Sequence, residues 1–220
     1  MNNPYWQEDI VAPSDSGKVL DLSFSISCRQ LPVDHAWALS QTLQDLLPWW
    51  SSEPFLGLHL IHGAGSGNGW TRPEGDVPFY LTKRARLILR LPHSKIEETR
   101  LALQGKKLEI MGFPLEIGKA NNRPFLAHPA LYARHVVTEP EDSEQLFLEK
   151  SVLELQKHGV SFKKLLAGRE SILKTPEGDC MTRSLLVADV PLPDSLKLQQ
   201  HGLGTHHTLG CGVFVPYKTP

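Results

Sequence analysis

Gly202-Leu203-Gly204-Thr205-His206-His207-Thr208-Leu209-Gly210-Cys211-Gly212 is the stretch on which the reading of this 220-residue chain turns. Its four glycines form two Gly-x-Gly pairs with five residues between them. A glycine pair lets the backbone turn through φ > 0 and lets a neighbour approach bare N–H groups closely. Successive N–H groups in such a turn form a concavity that favours anions, phosphate included. The alternative is a turn that only closes a compact domain. Residues 193–201 before it read as a short helix ending at Gly202, and Val213-Phe214-Val215-Pro216 after it as a strand. Phosphate loops of nucleotide hydrolases and the Rossmann fingerprint run the other way, from strand through glycine loop into helix. No Gly-Lys-Ser/Thr follows here, and no acid is placed for a ribose, so no nucleotide cofactor is expected, nor any other.

Outward from the loop, the C-terminal half reads as strand 131–138, helix 141–158, strands 162–167 and 181–190 around the turn Pro176-Glu177-Gly178-Asp179, helix 193–201 and strand 213–215. Asn121-Asn122-Arg123-Pro124 reads as a linker. The same order precedes it. Leu20, Leu22, Phe24 and Ile26 alternate with polar residues, the period of a half-buried strand. Asp34 is placed to cap a helix whose apolar face is Ala36, Leu39, Leu43 and Leu46-Leu47, and which Pro48 stops. Residues 58–62 form a short strand, 63–69 a second glycine-rich loop, and 79–91 one long strand. Residues 94–103 read as a helix with a capping box between Ser94 and Glu97; 107–110 and 115–117 are strands around Gly112. The order βαββαβ thus occurs twice. The expected class is α+β, with tandem ferredoxin-like domains: a flexible leader at 1–18, an N-terminal domain at 19–120 and a C-terminal domain at 121–220.

Formal net charge is −1, so a nucleic-acid surface must be a local patch. Cys28, Cys180 and Cys211 show neither Cys-x-x-Cys spacing nor a disulfide framework, and read as small apolar fillers in a reducing compartment. Residues 1–18 are polar and carry Pro4 and Pro13, unlike a signal peptide, and no apolar run approaches the ~18–20 residues of a membrane span. A cytoplasmic protein without membrane partners is expected.

The pattern Gly-hydrophobic-Gly, five residues, Gly-x-Gly before a last strand resembles the signature loop of the CRISPR-associated RNA-processing endoribonucleases of the RAMP superfamily. Leu20-Asp21-Leu22-Ser23-Phe24-Ser25-Ile26-Ser27, then Leu31-Pro32-Val33-Asp34-His35, resembles their first strand and the start of their first helix. The likeness spans residues 19–220 and is greatest to the branch described from myxobacterial and cyanobacterial systems. It implies tandem ferredoxin-like domains (RAMP, RRM-like), in agreement with the element order. It also implies an enzyme that cuts precursor transcripts within each CRISPR repeat, at the 3′ base of a repeat hairpin. Its partners would be repeat RNA, the mature crRNA it can stay bound to, and subunits of an effector complex.

Ten histidines are available for proton transfer near neutrality. The resembled family places its catalytic histidine in or near the first helix, which makes His35 the first candidate. His62, against the loop at 63–69, is the reserve. His59 and His62 point to opposite faces of a strand and are poor joint metal ligands. His93, His128, His135, His158 and His201 read as packed or solvated. No His-Glu-x-x-His, paired Cys-x-x-Cys or acidic cluster offers a metal site, so the sequence favours metal-independent cleavage. In that chemistry the 2′-OH attacks the adjacent phosphorus and leaves a 2′,3′-cyclic phosphate and a 5′-OH. His35 can be general base or general acid, and both stay open. Family members sometimes pair this histidine with a tyrosine or lysine; none follows His35 closely, leaving Ser27, Arg29 and Ser66 as candidates.

For RNA contact the candidates are Lys163, Lys164, Arg169 and Arg183, expected near the loop, and the loop itself through Gly202, Gly204, His206, His207, Gly210 and Gly212. Arg84 and Arg86, with Lys83 and Arg90, are expected along a strand. The helix at 141–158 is acidic and cannot act as the arginine-rich groove reader of some relatives. Two rival readings remain: an inert RAMP-type crRNA-binding subunit, and a double ferredoxin-like protein binding a small anion.

Overall fold

A computed structural model describes residues 19–63, 73 and 77–217. The expected leader at 1–18, Ser66 and residues 64–69 of the second glycine-rich loop lie outside them. In chain order the first half holds β1 (Val19–Ser27), β2 (Gln30–Leu31), α1 (Ala36–Leu46), β3 (Gly57–His59), β4 (Phe79–Tyr80), β5 (Arg86–Pro92), α2 (Ile96–Leu103), β6 (Lys107–Ile110) and β7 (Phe113–Arg123). The second half holds β8 (Ala130–Val137), α3 (Glu144–Lys157), β9 (Lys164–Thr175), β10 (Gly178–Ala188), α4 (Leu192–His201) and β11 (Val215–Pro216).

The sheet orders are β3-β5-β1-β7-β6 and β11-β8-β10-β9. Set aside β6, which only extends the first sheet's edge, and both follow the antiparallel order fourth-first-third-second of a ferredoxin-like fold. The α+β tandem ferredoxin-like architecture is therefore present. In the first sheet Leu22 and Phe24 of β1, Leu87, Leu89 and Leu91 of β5, and Leu115 and Ile117 of β7 share one face and pack on Leu39 and Leu43 of α1 and Ile96 and Leu103 of α2. The second core joins Leu131, Ala133, Leu185 and Val187 to Phe147, Leu155 and Leu198 of α3 and α4. Each fully buried leucine contributes about 1.5–3 kcal/mol.

Several elements differ from expectation for local reasons. Asp34 does not cap α1: the N-cap is His35, which makes no side-chain cap bond, and Asp34 faces Lys174 at 3.7 Å. Residues 79–91 are not one strand. β4 pairs with β2, and Thr82 then takes the N–H groups of Arg84 and Ala85 at 3.3 and 3.0 Å, turning the chain before β5. Lys83 and Arg84 therefore sit at a turn rather than on a strand face. Ser94 forms no capping box, because Glu97 is held by Arg100 at 3.2 Å.

Asn121, Asn122 and Arg123, expected in a linker, finish β7 opposite Ser23, Leu22 and Asp21. Arg100 fixes that end by donating to Ala120 O at 2.9 Å and Asn122 Oδ1 at 2.8 Å. The connection to the second half thus begins at Pro124. β7 enters from β6 through Met111 and Gly112, whose φ values of 52° and 84° form the two-residue turn matched to strand twist. β9 runs on through Arg169 to Thr175, well beyond the expected 162–167, because Glu170 is held by Arg183 across the hairpin.

Besides the Asp34–Lys174 pair, an apolar cluster and a buried arginine join the halves. Ala36 of α1 and Leu173 of β9 enclose Leu209 and Cys211 in a small apolar cluster. Arg90 of β5, only 3% exposed, donates to Asp21 Oδ1 at 2.9 Å, Gln199 O at 2.8 Å and Phe214 O at 2.9 Å, with Phe125 over its guanidinium at 4.6 Å. Expected on an RNA-facing strand, Arg90 is instead a buried tie between the halves.

Candidate active site

The glycine loop lies where the halves meet, against β3. Gly202, Gly204, Gly210 and Gly212 all have positive φ, between 66° and 85°. The loop closes on itself: Leu203 N–H donates to Gly212 O at 3.1 Å, while Leu209 and Cys211 N–H groups donate to His206 O at 2.9 and 3.2 Å. Gly212 N–H donates to His135 O at 2.6 Å, and Gly204 N–H to Glu154 Oε1 at 2.8 Å. These donors are committed within the protein, so the expected anion-cradling row is largely used internally.

His207 explains the glycine spacing. Its Nδ1–H donates to Cys211 O at 2.9 Å, and its ring fills the space between Gly202 and Gly212. A methyl at Gly212 would overlap the Leu203 carbonyl and lie 2.8 Å from the His207 ring, whereas one at Gly204 would meet nothing. Gly212→Ala is expected to cost about 3 kcal/mol and Gly204→Ala about 1 kcal/mol, both with strained φ but only the first with a clash. Paired urea melts check this; equal midpoints would refute it. His206, at φ 60°, is exposed and turns the loop tip outward.

His35 and His62 approach this seam from the first half. His35 is 3% exposed; Nδ1–H donates to Pro32 O at 2.9 Å and the ring lies 5.8 Å from Phe79. His62 follows β3 and is half-buried. Burial lowers its pKa well below the ordinary value, and the nearby Arg134, His135, His35 and His59 disfavour its proton further. Arg134 and His135 come from β8, where a bulge sets these two residues opposite Ser184 alone. His135 is buried, and its Nδ1 lies 3.0 Å from both Thr182 Oγ1 and Ser171 Oγ. Nothing in the sequence singles out Arg134, and His135 reads there as packed or solvated; the bulge that brings them here has no sequence signature. His59 instead faces Asp21 at 3.2 Å. Arg90 and His59 hold the Asp21 carboxyl well below its usual range, overcoming the burial that would raise it.

Burial lowers the pKa of His201 and His207 as well as His62, with His158 adding to the effect at His201. A histidine whose pKa is depressed on folding binds its proton more readily when unfolded. Stability from all three is therefore complete above the ordinary value of 6.5 and is lost as pH falls below it. Thermal melts should show Tm falling by several degrees from about pH 7.5 to about pH 5.5, with a shallower slope for His201→Gln. A Tm that holds or rises on acidification would contradict this.

The basic candidates do not form one cluster. Arg183 is 8% exposed and paired with Glu170 and Glu144. Lys163 and Lys164 are exposed at the start of β9, Lys164 facing Asp189 at 3.2 Å. At 3.3 Å per residue they lie about 30 Å along the strand from Leu173, which packs on the loop. Arg169 is exposed midway, Arg84 is at the turn before β5, and Arg86 caps that turn by donating to Lys83 O and Ala85 O. Among the described residues no group of three or more His, Cys, Asp or Glu is gathered to hold a metal, and no helix is long and apolar enough to cross a membrane.

Two ferredoxin-like sheets with this loop before the last strand define a RAMP-type fold. The chain belongs to the Cas6 family, whose model, described as Cas6 Crispr, matches residues 20–219. It is 28% identical over 197 residues to the CRISPR-associated endonuclease Cas6 of Myxococcus xanthus (strain DK1622), covering 90% of this chain and 81% of that protein. Among solved structures, a CRISPR associated protein Cas6 matches with TM-score 0.64 and 12% identity over 91% of this chain and all 100% of that one. A Cas6-related protein from Pyrococcus furiosus matches with TM-score 0.60 and 9% identity, over 89% and 97%. A RAMP protein binding different RNA substrates matches with TM-score 0.60 and 10% identity, over 90% and 100%. At these identities the structural matches speak for the fold. The family expected from the glycine loop is the family found.

Proposed function

We propose that this protein is a CRISPR repeat RNA endoribonuclease that cuts precursor crRNA within its repeats without a metal ion. The observation that supports it is membership of the Cas6 family over residues 20–219. The geometry adds two histidines from the first half, beside Arg134 and the glycine loop. In the reaction the 2′-OH oxygen bonds to the adjacent phosphorus and the bond to the 5′ oxygen breaks. One group takes the 2′-OH proton and another supplies a proton to the leaving oxygen. His62, kept neutral by burial and its cationic neighbours, suits the base. His35, whose Nδ1–H is held by the Pro32 carbonyl, suits the acid when its ring is doubly protonated: Nε2–H then gives its proton to the leaving 5′ oxygen and the ring is left neutral. Holding the nucleotide in line supplies as much as either group. The product is retained as mature crRNA and handed to an effector complex, where Lys163, Lys164, Arg169 and the loop tip contact the RNA.

One observation favours a second reading, that of an inert crRNA-binding subunit: His35 is almost fully enclosed. End-labelled repeat RNA from the source organism, incubated with excess EDTA, separates the two. A single cut leaving a 2′,3′-cyclic phosphate is the expected result. Tight binding with no cut, even after metal is restored, would replace the nuclease with the subunit.

A further inference from the structure

The face of the second sheet turned away from α3 and α4 is covered by α1 only at the Leu173 end, and beyond that end it carries an apolar row that the protein's core does not use. Register sets Val215 beside Tyr132, Tyr132 beside Leu186 and Leu186 beside Leu166, so each of the four strands contributes one side chain. Their strand neighbours Leu131, Ala133, Leu185 and Val187 are buried on the opposite face, against the helices. Leu166 is 57% exposed and Tyr217 39% exposed. Tyr217 follows β11 directly; its N–H donates to Ala130 O at 2.9 Å, and its ring lies 5.9 Å from that of Tyr132 at 54°. Single exposed apolar side chains are ordinary, but a contiguous row that carries two neighbouring aromatic rings marks a binding surface.

The chemistry of the row selects its occupant. Nucleobases stack on aromatic rings whatever their sequence, and four-stranded sheets of this topology use such rings to hold two or three splayed bases. Four strands span about 14 Å, enough for that number. Lys164, on the same face of β9 as Leu166 and largely exposed, faces Asp189 at 3.2 Å, an exposed pair weak enough for a phosphate backbone to take the cation from it. The row is also continuous with the candidate active site: Arg134, two residues along β8 from Tyr132, acts on His62. A protein partner would account for the apolar side chains, but not for the lysine beside them or the path toward the histidines.

We propose that this face is a stacking platform for unpaired nucleotides of the RNA substrate, with Tyr132 and Tyr217 each holding a base. The inference rests on the reading of the chain as an RNA-processing enzyme. Its test is the affinity of the full-length protein for a short fluorescein-labelled oligoadenylate, read by anisotropy. Cleavage of repeat RNA by the same preparations is measured in parallel. The Tyr132→Leu/Tyr217→Leu variant keeps apolar bulk but has no ring, and should bind the oligoadenylate about ten- to a hundredfold more weakly. The Tyr132→Phe/Tyr217→Phe variant keeps the rings and should bind within about twofold of wild type. Circular dichroism melts confirm that both variants fold. If the leucine variant binds as wild type does, or the phenylalanine variant falls as far as the leucine one, the platform is wrong. Should that occur while wild type still cuts repeat RNA, only the platform fails. A wild type that neither binds nor cuts RNA removes the platform and the enzyme together.

Discussion

His35→Ala is expected to slow repeat cleavage by about 10²- to 10⁴-fold, the usual contribution of a positioned acid or base, while the affinity for repeat RNA changes by less than about threefold. The split between rate and affinity matters because His35 is also a packing residue. Its Nδ1–H satisfies the Pro32 carbonyl and its ring lies against Phe79, so truncation leaves an acceptor unpaired and a small void. That costs about 1–3 kcal/mol of stability, which single-turnover measurements with saturating enzyme, well below Tm, will not register as a lost rate. His62→Ala is the companion variant. If His62 is the base, the acid limb of the wild-type pH–rate profile lies below 6.5, because its folded pKa is depressed and the ring stays neutral to lower pH. Cleavage that survives His35→Ala but is abolished by His62→Ala would leave His62 as the essential group and make His35 structural. Cleavage unaffected by either would move the chemistry to His206 at the loop tip.

The fold was legible where side-chain period and backbone demand agree. Leu20, Leu22, Phe24 and Ile26 alternate because β1 sits at the centre of its sheet with one face on the helices. Legibility failed where polar residues continue a strand. Asn121-Asn122-Arg123 has a linker's composition, but its backbone pairs with β1 and Arg100 secures it from outside the strand. Residues 168–171 conceal the middle of β9 in the same way, since Arg183 and Glu170 pair across strands that local sequence cannot relate. Conversely, 79–91 reads as one strand because nothing in its alternation shows that Thr82 captures two backbone N–H groups.

The candidate site was legible in its types and not in its distances. The glycine spacing pointed to a special loop, yet only the structure shows His207 filling it from within. Charge misled for the opposite reason. A sequence lists cations without their partners, and Arg183 and Arg90 proved to be buried ties. Arg134 and His135 reach the seam through a bulge, a two-against-one pairing that depends on the partner strand.

Arg90→Met is expected to destabilise the protein by about 3–5 kcal/mol, the cost of stranding one member of a buried ion pair. At about 2–4 °C per kcal/mol for a chain of this size, Tm should drop by roughly 6–20 °C. Methionine retains most of the apolar stem, so the loss reports the guanidinium itself. Three acceptors lose it together: Asp21, Gln199 O and Phe214 O. Asp21 suffers most. Burial alone would raise its pKa, and with Arg90 gone only His59 remains to hold the charge. Replacing the charge as well, in Asp21→Asn/Arg90→Met, should therefore recover part of the loss, because the stranded carboxylate disappears while the two carbonyls remain unpaired. A double variant no more stable than Arg90→Met would mean that the carbonyl bonds, not the ion pair, carry the tie. A single variant within about 1 kcal/mol of wild type would mean that the apolar cluster around Leu209 and Cys211 and the other contacts of the seam hold the halves without Arg90. Gln199 and Phe214 bracket the glycine loop, one in the last turn of α4 and the other leading into β11. Arg90 thereby anchors both ends of the loop to the half that carries His35 and His62, and at temperatures where Arg90→Met remains folded its cleavage rate should fall through loop position alone.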